Sequence, residues 1–356
     1  MNASFHLLSA PQKMAFSVRV FLLIGFHGLT QAAETSAAAA KLANEVRTKG
    51  WIAFSARSEA GDWDLFLMRP DGSERRNITN SHDTNECYPL FSRDGSQLLF
   101  RKFPKTETID GNRYGEQGVP VIAKANGADP KELGKEGDLP WVSWSPDGKQ
   151  FVCLSLKGIS FVDAETGKTL RTLKRNGFFQ QLTWSPDGKW LSGVSNAFGA
   201  SWMVARMNVE TGEANAVSQQ DNCTPDWFPD SKRMIFSNRH ASDVSLGKTG
   251  WTQLWMADAG GQHLQLVYAE DGRHIYGGHI SPDGNYVLFT GNPQEDGDPA
   301  NSGAPMAIMR LADAPILGNE TPALRKLHPN AKTGPVLPLP AGLEPCWTAA
   351  EITFTK

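Results

Sequence analysis

From Trp51 onward the chain is written in short stretches in which apolar and polar residues alternate, each ended by a tight-turn signal. "WIAFSAR" (Trp51–Arg57), "DLFLMR" (Asp64–Arg69), "SQLLF" (Ser96–Phe100) and "NYVLF" (Asn285–Phe289) are examples. A period of two over stretches this short predicts half-buried β-strands, because successive side chains leave opposite faces of a sheet. No helical spacing of apolar residues recurs anywhere in 50–356. The region therefore predicts an all-β domain.

One of the turns repeats with its surroundings. "WSPDGK" stands at Trp144–Lys149 and again at Trp184–Lys189, looser copies start at Phe91, Trp227 and Ile280, and Trp347 opens a shortened one. These six anchors are spaced by 53, 40, 43, 53 and 67 residues. The shortest spacing leaves room for four short strands and their turns. Proline sets φ for the second turn position, aspartate bonds to nearby backbone, and glycine relieves the exit. Asp147 and Asp187 are thus read as turn residues rather than catalytic acids. The second half of each unit, as in "GISFVDAETGKTLRTL" (Gly158–Leu173), carries a hairpin signal. Six units of four antiparallel strands predict a six-bladed β-propeller, whose radial closure leaves few open edges. The two chain ends complement each other. "WIAFSAR" and "DLFLMR" match second and third strands with no first strand before them, and "EPCWT" (Glu344–Thr348) matches a first strand with little after it. Joining them closes the ring, with "EITFT" (Glu351–Thr355) competing with "WIAFS" for the second position.

The stretch "IAFSAR…DLFLMRPDGSERRNIT…YPLFSRDGSQLLF" resembles the TolB-like, or WD40-like (PD40), propeller repeat. The resemblance covers about residues 50–356 and implies a six-bladed ring of four-stranded blades. TolB itself carries an α/β domain ahead of its propeller, whereas here residues 33–49 read only as a linker, with 35–46 as an alternative short helix. The same repeats are similar to those of oligogalacturonate lyase. That family holds a divalent metal through histidine and glutamine at the propeller mouth, which implies roles for His279, His274 and Gln181.

Composition narrows the setting. Lys13 and Arg19 precede the apolar run Val20–Leu29 and the small residues that follow, which is the pattern of a secretory signal peptide over 1–32, cleaved after Ala32. The start codon is Met1 or Met14. The expected location is periplasmic or secreted, and the run is short for a membrane span. The full chain has a formal net charge of −3, and removing Lys13 and Arg19 makes it −5. A weakly acidic surface argues against nucleic acid as a partner. Cys87, Cys153, Cys223 and Cys346 are read as free buried thiols, with a Cys87–Cys346 bridge between neighbouring blades as the alternative. No nucleophile elbow, phosphate loop or zinc-finger spacing occurs.

Loop length points to a working face. The turns after the first and third strands of each unit are short, while the long links (Lys102–Gly118, Ser237–Gly250, Thr290–Pro305 and the open Asn80–Glu86) all fall on the opposite face. Long loops on a rigid scaffold carry function more often than tight turns. The expected channel mouth on that face gathers Glu86, Tyr88, Trp141, Gln181, Tyr276 and Glu344 from the starts of first strands, with Asp138, Gln180, Asn222 and Thr224 beside them. His82, His240, His274 and His279 are expected to converge there, with Trp63 and Tyr114 nearby. Aromatics beside acids and amides suit a sugar or peptide, and imidazoles could supply a base or hold a borderline metal. The reading is a monomeric binding module for an envelope protein, peptide or glycan, with no required cofactor. The alternative is a carbohydrate-active enzyme of the lyase type with a metal or histidine site built on His279 and His274.

Overall fold

The computed structural model describes residues 36–218, 221–240, 251–269, 273–293, 305–314 and 334–354; the side chains of 239, 240, 251, 273, 274 and 291–293 lie outside that description. Six four-stranded antiparallel sheets stand around a central axis. Counting blades from the chain start, the innermost strands are Leu343–Thr348 (blade 1), Thr84–Phe91 (blade 2), Ser143–Trp144 (blade 3), Phe178–Trp184 (blade 4), Asn222–Trp227 (blade 5) and Arg273–Ile280 (blade 6). This is the TolB-like six-bladed propeller that the repeats predict.

The ring closes through both chain ends. Leu343–Thr348 pairs with Trp51–Arg57, so that Trp51 faces Thr348 and Ile52 faces Trp347. The second position of blade 1 therefore belongs to "WIAFS". Residues 351–354 form no strand and run across blades 1 and 2, where Glu351 meets Arg69 at 3.0 Å, Asn126 donates to the Thr353 carbonyl, and Phe354 packs edge-on against Trp51.

A helix over residues 36–46 occupies part of the segment read as linker. Leu42 and Val46 are fully buried among Ile52, Phe54, Leu288 and Trp347, on the seam between blades 6 and 1. Glu45 takes two hydrogen bonds from Arg310 at 2.7 and 2.8 Å, and Lys49 reaches Asp283 at 2.7 Å. Its buried stripe is only one i,i+4 pair inside an alanine-rich run, too little periodicity to stand out in the sequence.

The repeated turn is built the same way in blades 2, 3, 4 and 6, whereas Phe228 in blade 5 and Thr348 in blade 1 stand where the turn serine would be. In blade 3, Ser145 Oγ donates to Asp147 and accepts from the Gln150 N–H, Asp147 accepts from the Lys149 N–H, and Gly148 takes φ +70°. The same bonds recur at Ser185/Asp187 and Ser281/Asp283. The Ser145 hydroxyl holds the Asp147 carboxyl below its usual range. Trp144, Trp227 and Trp347 are buried as anchors, and Trp63 is buried in the inner core instead of standing at an opening. All four cysteines are free and buried. Cys87 points to the Tyr114 carbonyl and Cys346 to the backbone of Phe91 and Ala53, so no bridge joins them.

Candidate functional site

Five innermost strands carry one extra residue, three places before the anchor, and in blade 3 the equivalent residue lies just ahead of the strand. The register slips between Cys87 and Leu90, between Gln180 and Thr183, between Cys223 and Asp226, and between Tyr276 and His279. The residues at that place are Tyr88, Trp141, Gln181, Thr224, Gly277 and Glu344, and all six have φ between 48° and 58°. A left-handed backbone at five non-glycine residues, one of them β-branched, is uncommon and costs roughly 1 kcal/mol or more at each. Its recurrence around the ring makes it part of the blade design, a bulge that re-aims one side chain per blade.

Five of those six residues and five of the residues one place before the anchors surround the narrow neck of the channel. From the bulges come Tyr88, Gln181, Thr224, Gly277 and Glu344. From the second position come Leu90, Ser143, Thr183, Asp226 and His279. The neck encloses about 70 Å³. Tyr114, from the link between the second and third strands of blade 2, also lines it and is itself only 5 % exposed. Tyr114 packs edge-on against Tyr88 and Trp141, with centroids at 5.4 and 4.9 Å. Arg101, with no exposed surface, holds this link by donating to the carbonyls of Gln117, Glu116, Gly118 and Asp138. Gly115 is obligatory because a Cβ there would lie 2.2 Å from the Trp141 ring.

Polar contacts run around the neck from blade to blade. Gln181 donates to the Tyr114 hydroxyl at 3.1 Å and accepts from the Thr224 N–H at 2.6 Å. Tyr114 hydrogen-bonds Glu344 in turn. Ser237 Oγ takes the Gly277 N–H at 3.2 Å. Asp226 accepts the Ile280 N–H at 2.9 Å, and His279 Nδ1 stands 3.6 Å from the same carboxylate oxygen. Burial disfavours the charged imidazole, but Asp226 and then Glu344 outweigh it, so the pKa of His279 is raised above its ordinary value. Burial raises the carboxyl of Glu344 as well, against the opposing pull of His279 and Tyr114. The result is an acid–base pair, His279 and Asp226, with a third titratable group deeper in the channel.

The neck opens into a funnel of about 620 Å³ that includes Asp226 and His279. Its wall is the Ser-Pro-Asp-Gly turn face: Arg93, Pro146, Pro186, Pro229, Pro282 and Ala349 each come from a different blade. The approach to His279 is thus from the short-turn face, opposite to the long-loop mouth expected from loop lengths. Two physical reasons account for the reversal. His279 lies one residue before its turn, hence near that end of its strand, and Tyr114 takes up space that loop length alone would have left open.

The expected site residues divide accordingly. Tyr88, Gln181, Glu344 and His279 meet at the neck, and Trp141 packs beside it at 1 % exposure. Glu86 does not reach the axis; it is 2 % exposed in the seam with blade 1. Asp138 bonds to the Lys135 N–H, Gln180 to the Asn112 carbonyl, and Asn222 to Ser218, all away from the neck. Tyr276 falls one residue before the bulge and is partly buried. His82 is exposed on the link before blade 2 and shares no pocket with His279. His240 and His274 pair through backbone with Trp251 and Asn292, and their side chains lie outside the described residues, as does most of the Ser237–Gly250 and Thr290–Pro305 links. Asp226 was missed, although its signal was present: it precedes Trp227 as His279 precedes Ile280. Arg101 left no signal, since its partners are backbone carbonyls.

Fold and site define a six-bladed propeller with a polar axial channel that opens on its short-turn face. No family model and no curated sequence matches the chain. Among solved structures it is similar to TolB of Acinetobacter baumannii, with 16 % identity, a TM-score of 0.57, and coverage of 83 % of this chain and 67 % of that one. A nidogen/laminin complex matches at 10 % identity and TM-score 0.52, covering 74 % and 90 %. An oligogalacturonate lyase in complex with manganese matches at 17 % identity but a TM-score of 0.42, covering 74 % and 71 %. At these identities the likeness concerns the fold, which is that of a TolB-like propeller. Among the described residues no helix is long and apolar enough to cross a membrane.

Proposed function

We propose that this chain is an exported binding propeller that takes a polypeptide ligand, a protein loop or chain end, on its short-turn face, with one ligand side chain entering the neck. The observation that carries this reading is the funnel leading to His279 and Asp226. Its volume lies in the range of ligand sites, and its rim of hydrogen-bonded turns loses little freedom on binding. The neck, at about 70 Å³, is small beside the funnel of about 620 Å³, so the reading places one ligand side chain in the neck and the body of the ligand in the funnel. Glu344, Asp226, Gln181 and Thr224 offer acceptors at its walls. The solved TolB structures support the fold on which such a role rests, and the leader pattern over residues 1–32 supports export to an envelope partner.

The test is site-specific photo-crosslinking in the exporting cell. A crosslinker at Pro186 on the funnel rim should give a defined protein adduct that His279→Ala abolishes, while one at Leu156 on the outer surface should not. Equal adducts from both places, or none from Pro186, would overturn the proposal.

A second reading rests on the His279–Asp226 pair, whose raised imidazole could act as a general acid or base on a glycan lying in the funnel. The divalent metal that the lyase resemblance implies finds no ligand set among the described residues, where no three His, Cys, Asp or Glu side chains are grouped. Turnover of oligosaccharides by the native chain, lost in His279→Ala, would favour this second reading over the binding role.

A further inference from the structure

Glu86 was expected at the channel and lies elsewhere, in an environment that calls for its own explanation. It sits on the innermost strand of blade 2, and Ser81 bonds both it and Asp64 on strand Trp63–Met68 of blade 1, where the two carboxyl groups meet; the residues are 2 % and 1 % exposed. Every carboxylate oxygen of the pair but one has a donor. Asp64 accepts from Asn77 Nδ2, Thr79 Oγ1 and the Ser81 N–H. Glu86 Oε1 accepts from Ser81 Oγ and Thr84 Oγ1. Glu86 Oε2 is buried and has no donor in the protein.

We propose that Asp64 and Glu86 share one proton across the seam of blades 1 and 2, and that losing it loosens this seam together with the link that seats Tyr114 in the channel. Two ionised carboxylates in contact and out of water repel strongly, so one must hold a proton, which then lies between the two carboxyl groups and satisfies Oε2. A cation is a poorer occupant, because the other oxygens are already committed to N–H and O–H donors. Among the described residues Asp64 is the one ionisable side chain that meets Glu86 directly. Asn77, Thr79, Ser81 and Thr84 do not titrate, and Cys87, on the same strand, is kept neutral by burial.

The seam is coupled to the channel through adjacent residues. Asn85 accepts the Trp63 N–H at 2.9 Å and donates to the Glu107 carbonyl at 2.7 Å, near the start of the Tyr114-bearing link. Tyr88, two residues beyond Glu86, packs edge-on against Tyr114. Burial first, and then Asp64, raise the Glu86 carboxyl from 4.5 to about 7 against the bonds from Thr84 and Ser81. Through that window the folded chain keeps a proton that the unfolded chain has released, so stability falls as pH rises. The inference does not depend on what the channel binds.

Glu86→Gln tests it, since the carboxamide donates an N–H to Asp64 at every pH. Unfolding by urea at about pH 5 and about pH 8.5 should show that the wild-type folding constant falls by up to roughly two orders of magnitude more than that of the variant. Hydrogen exchange in residues 105–118, corrected for intrinsic rate, should rise with pH in the wild type and stay flat in Glu86→Gln. Asp64→Asn, which removes the neighbouring charge, should flatten the same dependence. Equal pH dependence in wild type and Glu86→Gln would overturn the proposal. So would a Glu86→Gln chain that fails to fold at about pH 5, because it imitates the protonated form.

Discussion

Deleting residues 343–356 removes the innermost strand of blade 1 and opens the ring. The cost can be worked from the structure. Leu343, Cys346, Trp347 and Thr348 are 3, 8, 9 and 5 % exposed. Losing the apolar burial of Leu343 and Trp347 costs about 1.5–3 kcal/mol each, before counting Ile52 and Phe54, which pack with Trp347 and become exposed as well. The backbone ladder to Trp51–Arg57 and the Trp347 indole bond to the Lys49 carbonyl at 2.7 Å add about 1 kcal/mol per bond. The total, about 10 kcal/mol, matches the whole stability of an ordinary domain, so the truncated chain should not hold its fold at growth temperature. A shorter deletion of 349–356 is the internal control. It removes the Arg69–Glu351 pair, the Asn126 bond and the Phe354–Trp51 contact, worth together about 2–3 kcal/mol, and should lower the melting temperature by only several degrees. Circular dichroism melts of the three chains side by side provide the assay. A 343–356 deletion that melts within a few degrees of the full chain would refute the closure argument, because the ring would then be stable with an open edge.

Further outcomes follow from the site. His279→Ala should fold with a melting temperature within a few degrees of the wild type, because the side chain is 26 % exposed at a channel edge, and should lose the Pro186 crosslink. By NMR, His279 should titrate above the ordinary imidazole range and fall back toward it in Asp226→Asn; its raised pKa means that its stabilising contribution is full below about pH 6.5 and fades as pH rises through the folded value. Arg101→Met should leave the Glu116, Gln117 and Asp138 carbonyls without their side-chain donor and cost more than about 3 kcal/mol by urea titration. N-terminal sequencing of the exported product should read a start at Ala33, and a mature chain beginning at Met1 or Met14 would sink the leader assignment.

The short-range chemistry of this protein is legible in its sequence because it repeats. A period of two names the strands, and Ser-Pro-Asp-Gly names the turns. Spacing counts the blades, and the unmatched ends at Trp51 and Glu344 require each other. Even the way the ring closes follows, since an open sheet edge is costly. The choice between "WIAFS" and "EITFT" does not follow, as both alternate equally well; packing decided it, with Ile52 and Ala53 filling the space beside Trp347 and Cys346.

What escaped was set by geometry that no local pattern carries. The bulge before the anchor brings Tyr88, Gln181 and Glu344 to the axis and leaves Glu86, Gln180 and Asn222 buried away from it and Asp138 exposed. A count by alternation cannot see that slip, because the slip reverses the alternation. Nor could loop length reveal which face opens onto His279, since Tyr114 lines the neck only once Arg101 has fixed its link. The helix at 36–46 depends on a groove between blades 6 and 1 that exists only once the ring is closed. Strands and turns are decided by neighbours in sequence, and so the sequence determines them. The channel, its opening and its acid–base pair are decided by six blades meeting at one axis, and only the tertiary structure brings Asp226 to His279.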